Sequence, residues 1–239
     1  MMKRYHQAGV ILSLSLLFLQ PAFASISIGT SRVIFSSSES SQSVDINNRS
    51  HTQPYLINVG ISESLSAKSS DNVFMPVPAL FRIESDASNK IRIVKKSNSL
   101  PRDRESVFYL NIMSIPTGKA GQGNNENTVG GTLQVATGNT VKLFYRPDNL
   151  PLTQKEAMGK LQFSRTGQGV KVTNPTPYYI SLNKLMIDGK KIKLDVIKGT
   201  SMVAPFAANT YPVSVGQGKA EWAAINDFGG VEAFRGAVH

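Results

Sequence analysis

Apolar and polar residues alternate with a period of two along most of the chain after residue 25. This period is typical of strands that have one face buried. Helical periodicity is almost absent, and the best candidate for a helical turn is the segment 154–158. Asp188-Gly189 separates two apolar runs and predicts a hairpin, because the turn requires positive φ. The predicted strands lie within 44–46, 56–61, 91–94, 107–113, 133–135, 141–145, 161–163, 170–172, 178–187, 192–194 and 213–215.

Many short strands broken by Gly, Asn and Pro predict an all-β protein built as sandwiches or barrels. The clearest break is 146–151, where two prolines flank a polar turn after a strong strand. Proline cannot continue a central strand, so we place a domain boundary there. We predict a first domain at 25–146, a hinge at 147–151 and a second domain at 152–239, both of a size normal for immunoglobulin-like sandwiches.

Residues 1–24 have the features of a secretory signal peptide. Lys3 and Arg4 precede an uncharged apolar run, 8–19, and Ala22-Phe23-Ala24 is a small-x-small cleavage signal. The apolar run is too short to span a bilayer. An amphipathic helix or a membrane anchor is the alternative interpretation of this segment. We expect cleavage near Ala24 and an exported product that is not embedded in the membrane.

The chain is basic, with a formal net charge of +10, and it has no cysteine. A basic surface suits nucleic acid, an anionic membrane or an acidic partner, or it serves only for solubility and weak steering. Aromatic residues do not interleave with the lysines as in a stacking platform for bases, and we expect no nucleic acid partner. Without cysteine, thiolate zinc sites and cysteine nucleophiles are excluded.

Catalytic chemistry has little support in the sequence. His51 lies in a predicted turn, whereas a catalytic triad needs a base that is held and oriented. The fragments Ser181–Lys184 and Ser70–Asn72 resemble parts of a serine acyl-enzyme, but their order is reversed and no Lys-Thr-Gly follows. We predict no enzyme, no catalytic residue, no metal and no cofactor, and an exported hydrolase is the weakest alternative.

Four segments resemble, in their order and spacing, the periplasmic pilus chaperones of the PapD-like family. Together they extend over nearly the whole chain after residue 25. They are 30–35, 100–116, 141–147, and 174–179 with its later companion 225–230. The resemblance implies two immunoglobulin-like β-sandwich domains, set at an angle with a cleft between them.

Arg32 and Lys142 match the two basic residues with which the family holds the C-terminal carboxylate of a pilus subunit. Such a carboxylate accepts charge-assisted hydrogen bonds from a guanidinium and an ammonium together. From the residues alone, Arg32 could equally be a solvated charge at a strand end. Lys142 could equally lie on the polar face of a strand, between Val141 and Leu143.

The resemblance also implies a subunit-binding strand near 129–142. There, alternating side chains fill the groove of a subunit that lacks its final strand. The residues at these positions are Leu133, Val135 and Thr137, and Val129 could extend the row. Thr137 departs from the larger apolar residue usual in the family. Alternatively, Leu133 and Val135 face this protein's own core.

Glu105, Arg146 and Asp227 match three charged residues that form a buried network between the domains in this family. One guanidinium has five donors and can serve two carboxylates. We therefore expect the network to fix the angle between the domains. The alternative is three unrelated surface charges.

The resemblance predicts a periplasmic chaperone that completes pilus subunits by donor-strand complementation and delivers them to an outer-membrane usher. The free protein could cover its open edge by forming a homodimer. The alternative function is an exported immunoglobulin-like adhesin or carbohydrate-binding module, with its function in the loops at the domain tips. The segment 75–78 departs from the family's Thr-Pro-Pro turn, which leaves the isomer at Pro78 open.

Overall fold

The structure is a computed structural model that describes residues 25–65, 73–97, 99–117 and 135–239. Strands dominate these ranges, and they pack into two successive β-sandwiches. The all-β, two-domain prediction is therefore confirmed. None of the helical structure in the described ranges is long and apolar enough to cross a bilayer.

The first sandwich has two sheets, whose strand orders are β1-β3-β7-β5 and β2-β9-β8-β4-β6. All neighbours are antiparallel except β2 and β9, which are parallel. The strands are β1 (Ile26–Ile28), β2 (Arg32–Ser36), β3 (Ser41–Asn48), β4 (Tyr55–Ser62), β5 (Phe74–Val77), β6 (Leu80–Ile83), β7 (Ser88–Lys95), β8 (Ser106–Pro116) and β9 (Thr137–Arg146).

The core of the first sandwich follows from the period-two pattern, which turns every second side chain of each strand inward. Val44 and Ile46 of β3 are buried, and so are Ile91 and Ile93 of the paired β7. Phe74 lies at the centre of an aromatic group, with its ring centroid 5.0 Å from that of Phe35 and 5.1 Å from that of Phe108. The two sheets are thus held together without a disulfide.

The second sandwich has sheets with the orders β10-β11-β15 and β13-β12-β16-β17, and β14 also pairs with β12. The strands are β10 (Gln162–Thr166), β11 (Gly169–Thr173), β12 (Ile180–Ile187), β13 (Lys190–Lys191), β14 (Met202–Val203), β15 (Ala208–Tyr211), β16 (Lys219–Ile225) and β17 (Val231–Ala237). A short helix, α1 (Gln154–Met158), precedes them, as the sequence predicts.

Trp222 organises the core of the second sandwich. Its ring lies 4.9 Å from that of Phe163 on the facing sheet and 5.7 Å from that of Phe234 on the neighbouring strand. Its indole N–H donates a hydrogen bond of 2.9 Å to the Met158 carbonyl at the end of α1. The indole N–H of this buried ring therefore has the hydrogen-bond partner that burial requires. The same bond connects α1 to the core.

The predicted turn at Asp188-Gly189 joins β12 to β13, and both residues have positive φ, 49° and 77°.

Two segments that the sequence predicts as strands, 192–194 and 213–215, are not strands in the structure. The apolar residues within 192–194 pack on the core although β13 ends at Lys191. The Ile192 amide still donates one hydrogen bond to Leu185 of β12, but the regular strand pairing has ended. β15 ends at Tyr211 because Pro212 has no amide to donate, and 213–215 is not a strand. The bond between Val77 and Pro78 is cis.

Replacing Thr153 with alanine is expected to lower the free energy of unfolding by about 1 kcal/mol, because Thr153 caps α1. Its hydroxyl accepts a hydrogen bond from the Glu156 amide, and the Glu156 carboxylate accepts one of 2.8 Å from the Thr153 amide. Urea denaturation measures the loss. Thr153→Ser keeps the hydroxyl and should retain most of the stability, whereas an equal loss in both variants would contradict a role for the cap.

Candidate functional site at the junction of the two sandwiches

The parallel pairing of β2 with β9 places two basic residues side by side. Arg32, the first residue of β2, lies opposite Lys142 in the register, which continues to Ser36 opposite Arg146. Neighbouring strands lie about 4.8 Å apart, so the two basic side chains leave the sheet as close neighbours. Residues 110 positions apart in sequence thus form one cationic pair.

Both side chains of this pair contact the second sandwich. Arg32 donates a hydrogen bond of 2.9 Å from a terminal guanidinium nitrogen to the Ile225 carbonyl at the end of β16. The Lys142 ammonium lies 3.5 Å from the Ser181 hydroxyl on β12. The pair therefore sits where the two sandwiches meet, and Arg32 retains only 8% of its accessible surface.

No carboxylate of the described residues is paired with the two positive charges of Arg32 and Lys142. Burial, and then the nearby charge of Arg32, lowers the pKa of Lys142 below its ordinary value of 10.5. Burial also lowers the pKa of Arg32, although Asp227 and Glu105 oppose the shift. Neither basic group forms an ion pair with a carboxylate in the described ranges.

Arg32 also has an unsatisfied buried hydrogen-bond donor. Its Nε has no hydrogen-bond partner among the described residues. A buried donor of this kind costs free energy unless it is paired, and two adjacent cations repel each other. An incoming carboxylate would correct both defects, so the junction is chemically an anion site.

β9 has an open edge immediately before Lys142. β8 pairs with β9 from Thr137 to Tyr145, but β2 covers the opposite edge only from Lys142 onward. Residues 137–140 are exposed, and no described strand pairs with their outer main-chain groups. The open edge thus ends at the cationic pair.

The predicted groove-filling residues lie partly in the described chain. Val135 precedes β9 and keeps 59% of its surface exposed. Thr137 begins β9 and is exposed as well. Val129 and Leu133 lie outside the described residues. The alternative in which Val135 belongs to the protein's own core does not agree with its exposure.

Glu105, Arg146 and Asp227 meet in one ionic network. Arg146 donates from Nε to Glu105 at 2.8 Å, and from both terminal nitrogens to Asp227 at 2.7 and 2.8 Å. The other Glu105 oxygen accepts from the Tyr179 amide at 2.8 Å. Because Asp227 and Tyr179 belong to the second sandwich, the network bridges the two sandwiches.

Burial dominates the energetics of this network. Glu105 retains only 3% of its surface, and burial raises the pKa of its carboxyl even though Arg146 and the Tyr179 amide oppose the shift. Burial alone would lower the pKa of Arg146. Its pKa is instead raised, because hydrogen bonds and charge from Asp227 and Glu105 stabilise the guanidinium. The Glu105 carboxylate therefore depends on Arg146 and the Tyr179 amide to remain charged.

Several contributors to the site could not be selected from sequence. Ile225 and Tyr179 act through a main-chain carbonyl and amide, which every residue possesses. In the sequence, Ser181 belongs to an enzyme-like fragment, but in the structure its hydroxyl contacts the Lys142 ammonium. A tilted contact between the rings of Phe144 and Tyr179, at 6.0 Å between centroids, also joins the two sandwiches.

The enzyme-like fragments are not assembled into a catalytic group in the described chain. His51 Nδ1 lies 2.8 Å from Asp86 on an exposed turn. Ser181 is buried at the domain junction, and Lys184 of the same fragment is exposed. The fragment 70–72 lies outside the described residues.

Comparison with protein-family models matches both halves of the chain. Residues 25–151 match the model described as pili and flagellar-assembly chaperone, PapD N-terminal domain. Residues 156–235 match pili assembly chaperone PapD, C-terminal domain.

Individual relatives are similar over most of their length. The probable fimbrial chaperone LpfB of Escherichia coli O157:H7 is 34% identical over 223 residues, which cover 92% of this chain and 91% of LpfB. The solved structure of the E. coli chaperone DraB has a TM-score of 0.76 at 28% identity, covering 90% and 97% of the two chains. The Salmonella enterica SafB chaperone, solved in complex with the SafA pilin, gives a TM-score of 0.74 at 30% identity, covering 91% of this chain and 98% of its own.

Proposed function

This chain belongs to the PapD-like family of fimbrial chaperones of the chaperone–usher pathway, and we propose that it completes unfinished pilus subunits by lending them a β-strand. In this proposal β9 supplies the strand and the cationic pair holds the end of the subunit chain. The complex is then delivered to an outer-membrane usher. No nucleotide, metal or other cofactor takes part.

The observation that carries this proposal is the open edge of β9, which ends at Arg32 and Lys142. An unpaired edge offers a row of main-chain donors and acceptors to another chain. The cationic pair offers charge-assisted hydrogen bonds to a carboxylate. Every subunit has a terminal carboxylate, so this anchor serves subunits of different sequence.

Selectivity would come from the side chains that the strand presents. By the two-residue period of a strand, Val135 and Thr137 would share one side when the donated strand extends toward the subunit, and Leu133 and Val129 are the positions that would continue this row. Leu133 and Val135 are both apolar and should contribute most of the buried area in a subunit groove. The related SafB was solved in complex with a pilin, which supports a subunit as the partner of this chain.

The ionic network around Arg146 has a supporting role in this proposal. It connects the first sandwich, which provides the strand, with the second, which provides contacts to Arg32 and Lys142. By holding the sandwiches at one angle, it would keep the anchor and the open edge in a fixed relation.

The family is periplasmic, and we propose that residues 1–24 direct export and are removed near Ala24. We also propose that free protein covers the open edge of β9 by pairing with a second copy. An exposed strand edge is otherwise an aggregation hazard. A subunit would then have to displace the second copy.

The proposal is tested by co-expressing the chain with a pilus subunit and isolating complexes from the periplasm. We expect a 1:1 complex that Val135→Asp weakens at least tenfold, because a carboxylate cannot be buried in an apolar groove. Gly138→Asp is the matched control, since a side chain at Gly138 meets nothing within 4 Å and points to the other side of the strand.

Two results would contradict the proposal. One is equal binding by both variants. The other is the absence of a complex with every subunit of the fimbrial system, combined with binding to glycans, which would favour the adhesin alternative.

Subunit affinity should fall as the pH rises above the lowered pKa of Lys142 in the free protein. The carboxylate binds protonated Lys142 and raises its pKa, so affinity is constant below the free-state pKa and declines between the free and bound values. Titrations of a peptide with the subunit's C-terminal sequence, at pH 7 and upward, measure this decline. The C-terminally amidated peptide should bind weakly at every pH, and equal binding of both peptides would contradict the anchor.

A further inference from the structure

One edge of the second sandwich is rich in lysine and has no role in the proposed subunit site. We call it the lysine edge: the exposed side chains of Lys184, Lys190, Lys191, Lys193 and Lys198. They lie on β12, on β13 and in the segment that follows β13. The Ile192 amide donates to the Leu185 carbonyl, so this segment continues alongside β12.

The nearby carboxylates of Asp188 and Asp195 accept hydrogen bonds from main-chain amides. Asp188 accepts hydrogen bonds from the Gly216 and Lys219 amides at 2.6 and 2.7 Å. Asp195 accepts from the Lys198 amide at 2.9 Å. None of the five lysines forms an ion pair in the part of the chain that the structure describes. The five lysines outnumber these two carboxylates, so the edge keeps a net positive charge.

A braced loop at 195–200 carries an apolar tip within this edge. The Thr200 hydroxyl accepts from the Asp195 amide at 2.8 Å, and the Thr200 amide donates to the Asp195 carbonyl at 2.9 Å. The tip residues are Val196, 55% exposed, and Ile197, 91% exposed. Lys198 follows the tip directly. Because the loop is closed by its own hydrogen bonds, Ile197 is held outward.

A large apolar side chain held in water within a group of lysines matches the chemistry of a lipid interface. Apolar residues enter the boundary between headgroups and acyl chains, while lysine stems extend to anionic headgroups. Charge alone would suit any acidic macromolecule. The protruding isoleucine gains free energy only where it leaves water, and the interface of a bilayer accepts such a side chain without a pocket shaped to fit it.

We propose that the lysine edge and the Val196-Ile197 tip dock this protein on the surface of a bilayer that contains anionic phospholipid. The contact is peripheral: the lysines lie against the headgroups and Ile197 enters the interface. The cationic pair and the open edge of β9 belong to the first sandwich, so a subunit can bind at the same time. This proposal does not depend on the proposed chaperone function.

The test is co-sedimentation of the exported full chain with vesicles of phosphatidylcholine, alone or mixed equally with phosphatidylglycerol. Binding is expected only to the mixed vesicles, and it should weaken as salt screens the charges. Lys193→Glu/Lys198→Glu should bind at least about 25-fold more weakly, since each lysine near an anionic surface contributes about fivefold and each glutamate adds repulsion. Lys160→Glu/Lys171→Glu makes the same change in charge away from the lysine edge and should bind like the unmodified chain.

Insertion of the tip is tested separately. Because the chain has no cysteine, Ile197→Cys gives a single site for an environment-sensitive fluorophore, and Thr210→Cys on β15 gives an exposed control. A blue shift and quenching by brominated lipid are expected only at position 197. Absence of vesicle binding, equal binding by both lysine pairs, or no spectral change at position 197 would each overturn the proposal.

An acidic protein partner is distinguished with soluble polyglutamate. If polyglutamate competes fully with mixed vesicles and the probe at position 197 remains in water, the edge recognises charge alone and the membrane proposal is wrong. Subunit binding is measured in the same variants and is expected to be unchanged. A failure of the chaperone proposal would therefore appear separately from a failure of this one.

Discussion

Lys142→Met is expected to abolish the isolable subunit complex while increasing the stability of the free protein. Removing one partner of a buried charge pair at an interface costs about 2–5 kcal/mol of binding free energy. In the free protein, however, the Lys142 charge is disfavoured by burial and by Arg32, as its lowered pKa shows. Methionine fills a similar volume without that charge.

The stability gain has a defined dependence on pH. Between the lowered folded-state pKa of Lys142 and its ordinary value of 10.5, the unfolded chain binds more protons than the folded one. The unmodified protein therefore gains stability as the pH rises through this range. The advantage of Lys142→Met should be present at pH 7 and vanish above about pH 10.5.

Urea denaturation of the free protein and co-purification with a subunit measure the two effects in parallel. Lys171→Met, on an exposed strand position of the second sandwich, is the matched control and should change neither quantity substantially. A variant at 142 that loses stability together with subunit binding would show a merely structural role, and one that binds normally would remove Lys142 from the anchor.

Arg146→Met is expected to lower the free energy of unfolding by about 3–5 kcal/mol, because it leaves a buried carboxylate without its partner. Glu105 would keep only the Tyr179 amide. With Arg146 removed, only the Tyr179 amide opposes the effect of burial, so the pKa of Glu105 should rise further. Stability of the variant should then decrease as the pH rises from the unfolded-state pKa near 4.5.

Urea denaturation between pH 4 and 8 measures this loss. Arg146→Met combined with Glu105→Gln and Asp227→Asn removes the stranded charges and should recover much of the stability. Arg235→Met is a control at an arginine that makes no ion pair among the described residues. If Arg146→Met and Arg235→Met cost the same, the network does not hold the sandwiches together.

Local patterns in the sequence predicted much of the fold. The inward positions of β3 and β7, the hairpin at Asp188-Gly189 and the short helix α1 all follow from periodicity or turn chemistry. Where the prediction was wrong, as at 192–194, side chains pack on the core although the regular strand pairing has ended. An apolar alternation cannot distinguish these two situations.

Local sequence patterns predicted less of the site than of the fold, because the residues of the site come from strands that are distant in sequence. Arg32 and Lys142 looked like ordinary strand charges, and only the resemblance to a family paired them. The main-chain groups of Ile225 and Tyr179 leave no trace in a sequence. The open edge of β9 depends on where β2 begins, which is a property of topology rather than of residue type.

The parallel register of β2 and β9 has a consequence for the polarity of any strand that joins the open edge. Such a strand would lie end to end with β2, and its end nearest the junction would meet Arg32 and Lys142. If it ran antiparallel to β9, that end would be its amino terminus, and an ammonium would face two cations. If it ran parallel, a carboxylate would face them. The charges therefore select one of two directions that hydrogen bonding alone would permit.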